Sequence, residues 1–176
     1  MNDAFDIRNM ESHIEVHKFR GGAIVGATLL ALMFQAFVPV YFAKAAMIDL
    51  PLLITIYFGL SRRNPSTGLL LGMVIGLLQD SLSRTPLGLY GLAKTAVGFV
   101  GSSIGARIDV EHPIARFLLT AGFVLFHHAI FTLTSRLLLA ERDVTYISIS
   151  ILISAIVNAC IAIVLFPFLD RFRKPS

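Results

Sequence analysis

Two carboxylates and one amine, Asp49, Asp80 and Lys94, interrupt stretches of this sequence that are otherwise apolar. If those stretches lie in a bilayer, each charge costs at least about 2.5–3.5 kcal/mol, so each must be paired, hydrated or put to use. A lysine stem reaches several ångströms, and Lys94 is therefore expected to pair with Asp80 or with Asp49, a buried ion pair that knits helices together. The alternative use of the same three residues is a polar pocket, open on one side of the membrane, that holds a ligand. Gln35, Asn158 and the adjacent pair His127-His128 are further polar groups inside apolar runs. Their expected role is to bridge helices by hydrogen bonds.

Metal chemistry finds little support. Neighbouring histidines project about 100° apart around a helix, so His127 and His128 cannot both ligate one ion as an i, i+4 pair would. His13 and His17 have that spacing, but no further ligand accompanies them. The single cysteine, Cys160, excludes an intrachain disulfide and reads as a small core hydrophobe. Gly101-Ser102-Ser103-Ile104-Gly105 fits the G-x-S-x-G pattern of a hydrolase elbow. That elbow needs a strand entering a sharp turn, whereas this segment reads as the end of an apolar helix. Nor is there a histidine at the depth of Ser103. At about 1.5 Å per residue, Ser103 lies about 7 Å from one membrane boundary and His127 about 21 Å from the same one. No HExxH, phosphate-binding Gly-Lys-Ser loop or paired acidic cluster occurs. Neither enzymatic activity nor a cofactor is expected.

The elements that would position these residues are membrane helices. With 56% hydrophobic and 15% charged residues and a mean hydropathy of +0.77, the 176-residue chain lacks the surface of a soluble domain. Each span needs about 20 apolar residues to cross a hydrocarbon core about 30 Å thick. Six such runs occur, at about 21–41, 45–60, 66–82, 87–108, 113–139 and 146–169. The expected fold is thus an all-α integral membrane protein: a tail over 1–20, a six-helix domain over 21–169 and a short tail over 170–176. Short connections require neighbouring helices to run antiparallel. Residues 1–20 are too polar for a cleavable signal, and Ile7, Met10 and Ile14 would give them one apolar helical face against the membrane surface.

Positive charge sets the orientation. With the N-terminus inside, the inner ends carry Arg8, Lys18, Arg20, Arg62, Arg63, Arg107, Arg116, Arg171, Arg173 and Lys174, against Lys44, Arg84, Arg136 and Arg142 outside. An excess of ten over four places both termini in the cytoplasm. Tyr41, Tyr90 and Tyr146 then fall at the outer boundary. The pI near 9.6 is accordingly a matter of topology; no basic run is dense enough to track nucleic acid. Gly68, Gly72 and Gly76 recur every fourth residue, and Gly98, Gly101 and Gly105 form a similar series. Both are faces on which another helix can approach closely, within the chain or from a partner. Gly22 and Gly26 open the first span in the same way.

One sequence of features is more specific than any of its parts. Asp49-Leu50-Pro51 enters the second span, Gly68 to Asp80 reads Gly-Leu-Leu-Leu-Gly-Met-Val-Ile-Gly-Leu-Leu-Gln-Asp, and Thr85-Pro86-Leu87-Gly88-Leu89-Tyr90-Gly91 turns into the fourth. In this order the chain resembles the MreD family of rod shape-determining proteins. The resemblance assigns Asp49, Gln79, Asp80, Pro86, Gly88 and Lys94 to the family's recurrent pattern and gives none of them a catalytic role. It implies a scaffold of the bacterial inner membrane within the cell-wall elongation complex. That scaffold would bind the bitopic protein MreC, with MreB, RodZ, RodA and a penicillin-binding transpeptidase as wider partners. The charged N-terminal tail departs from the family's usual length. The family is also similar in fold to the S-component bundles of ECF transporters, which keeps a second function in view: the substrate-binding membrane subunit of a vitamin or metal importer. The expected working surface is the bundle itself, facing membrane lipid, a partner helix through its small-residue faces, or a second copy in a homodimer.

Overall fold

The computed structural model describes residues 21–107, 112–139 and 149–172. It contains α1 (Gly21–Tyr41), a 3-10 turn (Ala43–Met47), α2 (Leu50–Arg62), α3 (Pro65–Ser83), α4 (Leu89–Gly105), α5 (Pro113–Leu139) and α6 (Ile149–Asp170), with no strand among the described residues. Several expectations concern residues outside this set. They are the amphipathic tail with His13 and His17, the charges of Arg8, Lys18, Arg20, Arg142, Arg173 and Lys174, and the boundary position of Tyr146.

The helix limits follow from local chemistry. Asp49 caps α2 by accepting a hydrogen bond from the Leu52 amide at 2.9 Å, so that helix starts at Leu50 and not near 45. It ends where Arg63 turns left-handed at φ 55°, and Asn64 then caps α3 through the amides of Ser66 and Thr67. A second left-handed residue, Arg84, closes α3. Gly88, at φ +103°, opens α4, a conformation that glycine adopts without steric cost. This trims the fourth helix to 17 residues from the wider run expected. Among the described residues five segments are long and apolar enough to cross a membrane, one of them the 3-10 turn and α2 taken together, and α4 is shorter than these.

Helix α2 is central, with every residue from Pro51 to Ser61 buried. A helix apolar all round and enclosed on every side belongs in the middle of a bundle. Helix α1 packs on α2 and α3, while α6 packs on α5, α2 and the 3-10 turn. Because α1 and α6 do not meet, an apolar cleft of about 530 Å³ opens between them, floored by Leu50, Ile54 and Phe58 of α2.

The tightest pairing is the antiparallel hairpin of α3 and α4, where the glycines of the two series face each other. A Cβ at Gly68 would collide with the Gly98 carbonyl, one at Gly72 with the Lys94 carbonyl, and one at Gly76 with the Tyr90 carbonyl. Gly98 abuts the Gly68 carbonyl in return, and Gly105 abuts the Leu60 carbonyl of α2. Gly101 differs, since a Cβ there would make ordinary contact with the Phe123 ring at 3.6 Å. These small-residue faces are therefore occupied by the chain's own backbone.

Candidate functional site

The polar residues of the bundle gather where α2 and α4 begin. The Lys94 ammonium, 0% exposed, donates to Asp49 Oδ2 at 2.7 Å. The other oxygen of Asp49 is the one that caps α2, so a single carboxylate both starts a helix and holds a charge from the next hairpin. Asn158 of α6 completes the junction. Its Oδ1 accepts from the Asp49 amide at 3.0 Å, and its Nδ2 donates to the Met47 carbonyl at 2.8 Å. Ser154, one turn earlier, donates to the same carbonyl at 2.7 Å. Three helices are thus tied at one point, and the lysine lies over the ring of Tyr90 at 5.3 Å from its centroid.

Asp80 does something else. Although fully buried, it does not take Lys94 as its counter-charge, and its two oxygens accept four hydrogen bonds. The donors are Thr85 Oγ1 at 3.0 Å and the amides of Gly88 at 2.9 Å, Tyr90 at 3.0 Å and Gly91 at 3.0 Å. These include unpaired N–H groups of the first turn of α4, where the helix dipole favours an anion. Asp80 therefore folds the 84–88 turn back and fixes where α4 starts. Of the other residues in the family-like pattern, Pro86 lends its carbonyl to the Leu89 amide, and Gln79 is buried with Oε1 unpartnered among the described residues.

Gln35 is not brought into this junction; its buried Oε1 on α1 has no partner among the described residues. His127, 2% exposed, likewise has neither ring nitrogen partnered among them. Its ring stacks on Tyr90 at 5.9 Å, with Phe131 behind and His128 edge-on. Tyr90, in the first turn of α4, packs on Phe131 of α5 with ring centroids 4.8 Å apart. Cys160, expected in the core, is exposed, because it lies two residues beyond the inward-facing Asn158 and so on the opposite side of α6.

Sequence reasoning missed one cluster. Arg116 donates to Asp170 Oδ2 at 2.9 Å while Tyr57 donates to Oδ1 at 2.8 Å, joining α5, α6 and α2 at the opposite end of the bundle. The available signal was a charge inside the first turn of α5 and an acid closing α6, which composition alone assigned to the membrane surface.

No hydrolytic geometry is assembled among the described residues. Ser102 and Ser103 donate to the carbonyls of Gly98 and Phe99, one turn back on a continuous helix. Among the described residues no three of His, Cys, Asp and Glu come together as metal ligands would. What the arrangement can do is hold helices in register and keep one compensated charge pair inside an apolar bundle. Compared with known proteins, residues 18–174 match a family model described as rod shape-determining protein MreD. No curated protein and no solved structure matches.

Proposed function

The chain belongs to the MreD family of rod shape-determining proteins, matched over residues 18–174, and from that premise we propose that it is a non-enzymatic scaffold whose helix bundle binds MreC and links MreB to peptidoglycan synthesis. The family match is the observation that carries this reading. The geometry agrees with it, because Asp49, Lys94, Asn158 and Asp80 are spent on fastening helices and turns to one another. The glycine faces of α3 and α4 are already filled, so a partner helix would have to seat on one of the exposed apolar surfaces of the bundle, which α1, α3, α4, α5 and α6 all present. With the basic ends of the helices, Arg62, Arg63, Arg107 and Arg171 among them, on the cytoplasmic side, filament proteins would meet that face.

His127 favours a second reading, a substrate-binding importer subunit, since its unpartnered nitrogens sit beside Lys94 and Tyr90. The separating experiment is purification of tagged protein from membranes in mild detergent, with both proteins and small molecules identified. Recovery of a bitopic MreC-like protein is the expected result. A stoichiometric vitamin or transporter ATPase subunits recovered in its place would overturn the scaffold.

A further inference from the structure

Arg62 and Arg107 stand at equal distances past one contact. Helices α2 and α4 both begin at the end of the bundle where Lys94 meets Asp49, and where they finish the backbone of Gly105 lies against the Leu60 carbonyl. Two residues further on come Arg62, the last residue of α2, and Arg107, just beyond α4, with Arg63 next to the first. Two residues of chain add at most about 7 Å on each side, no more than an extended arginine side chain spans. The three guanidinium groups therefore share one small area.

That area carries positive charge without an answering carboxylate. No ion pair or hydrogen bond engages the three side chains among the described residues, and the shielded Nε of half-buried Arg62 has no partner there. Of the described carboxylates, Asp49 and Asp80 belong to the opposite end of the bundle, and Asp170 is engaged by Arg116 and Tyr57. Like charges gathered in this way repel one another, and an anion that joins them relieves the repulsion.

The place of α2 says which anion. Every residue from Pro51 to Ser61 is buried, and α2 touches α1, α3, α4, α5 and α6, so its last residues emerge in the middle of the bundle's end face. Lipid headgroups meet the rim of that face. A soluble chain can reach its middle. Guanidinium groups fork onto carboxylates, and acidic side chains two residues apart on an extended chain are separated by about 7 Å, the scale of the trio. We propose that Arg62, Arg63 and Arg107 form a docking patch for an acidic, extended segment of a cytoplasmic protein. This deepens the scaffold reading, on which it rests for the side of the membrane where α2 and α4 end.

The test uses full-length protein in phosphatidylcholine nanodiscs and a fluorescein-labelled peptide of alternating glutamate and alanine, with binding followed by fluorescence anisotropy. Wild type is expected to bind the peptide, less tightly as salt is raised. The triple variant Arg62→Gln, Arg63→Asn, Arg107→Gln should weaken binding about tenfold, asparagine being chosen because it tolerates the left-handed backbone at 63. Arg107→Gln alone, at an exposed position, serves if the triple variant does not elute as monodisperse protein. Lys44→Gln with Arg84→Asn, at the opposite end, should change nothing. The patch is overturned by the absence of salt-sensitive binding, or by an equal loss in the opposite-end variant. It is equally overturned if Asp109→Asn with Glu111→Gln strengthens binding about tenfold, which would mean that the chain's own carboxylates hold the arginines. A triple variant that retains less phosphatidylglycerol but the same peptide affinity would overturn it in favour of a lipid contact. Co-purification of an MreC-like protein reports on the scaffold separately, and the triple variant should leave it unchanged.

Discussion

Asp49 and Lys94 form a pair whose value lies in what happens when half of it is removed. Breaking a buried ion pair leaves an uncompensated charge and costs about 3–5 kcal/mol, and the partial exposure of Asp49 places Lys94→Met toward the lower figure. Thermal unfolding in detergent should register this as a clear drop in midpoint. The double variant Lys94→Met, Asp49→Asn should regain most of it, since asparagine keeps the cap on Leu52 without the charge. A double variant no better than the single one would mean that the two residues act separately. Asp80→Ala should cost more than 4 kcal/mol, because four donors at the start of α4 lose their acceptor at once. At this scale the sequence was readable where reach alone decides: Lys94 has a stem long enough to find an aspartate. It was not readable where a turn decides. The role of Asp80 depends on residues 84–88 folding back, and Arg116 finds Asp170 across 54 residues with no periodicity to announce it.

The helices show the same division. The four-residue glycine spacing of α3 marks a close approach, and the hairpin's partner is the next helix in the chain, the pairing that short connections favour. Gly72→Leu drives a side chain into the Lys94 carbonyl and should leave little monodisperse protein in size-exclusion chromatography, a loss above about 4 kcal/mol. Gly122→Leu on α5, where an added Cβ meets nothing within 4 Å, should stay within about 0.5 kcal/mol of wild type. Equal behaviour of the two would contradict the packing. The starts of α2 and α4 differ from the hydropathy runs because Asp49 and Gly88 set them by hydrogen bonding and backbone conformation, to which hydropathy is blind.

Composition alone makes the whole molecule a membrane bundle, but it does not say that α2 stands in the middle. That follows from burial on every side of Leu52 to Leu60, a pattern that an apolar run in lipid and one in protein share. Orientation is open to direct measurement. After replacement of the exposed Cys160, a cysteine at Arg84 should react with an impermeant maleimide added to spheroplasts, and one at Arg63 should react only after lysis. The reverse pattern would invert the topology and, with it, the face offered to the filament.

The knot that ties α2 to α4 and α6 also has a history in time. Asp49 leaves the ribosome 45 residues before Lys94 and 109 before Asn158. At about 5–20 residues per second, its last polar partner arrives on the order of ten seconds after it does. Through that interval the central helix of the finished bundle is the one with most to lose by entering lipid early. Its insertion is therefore expected to wait beside the translocon, or on a chaperone, until the last helix has been made.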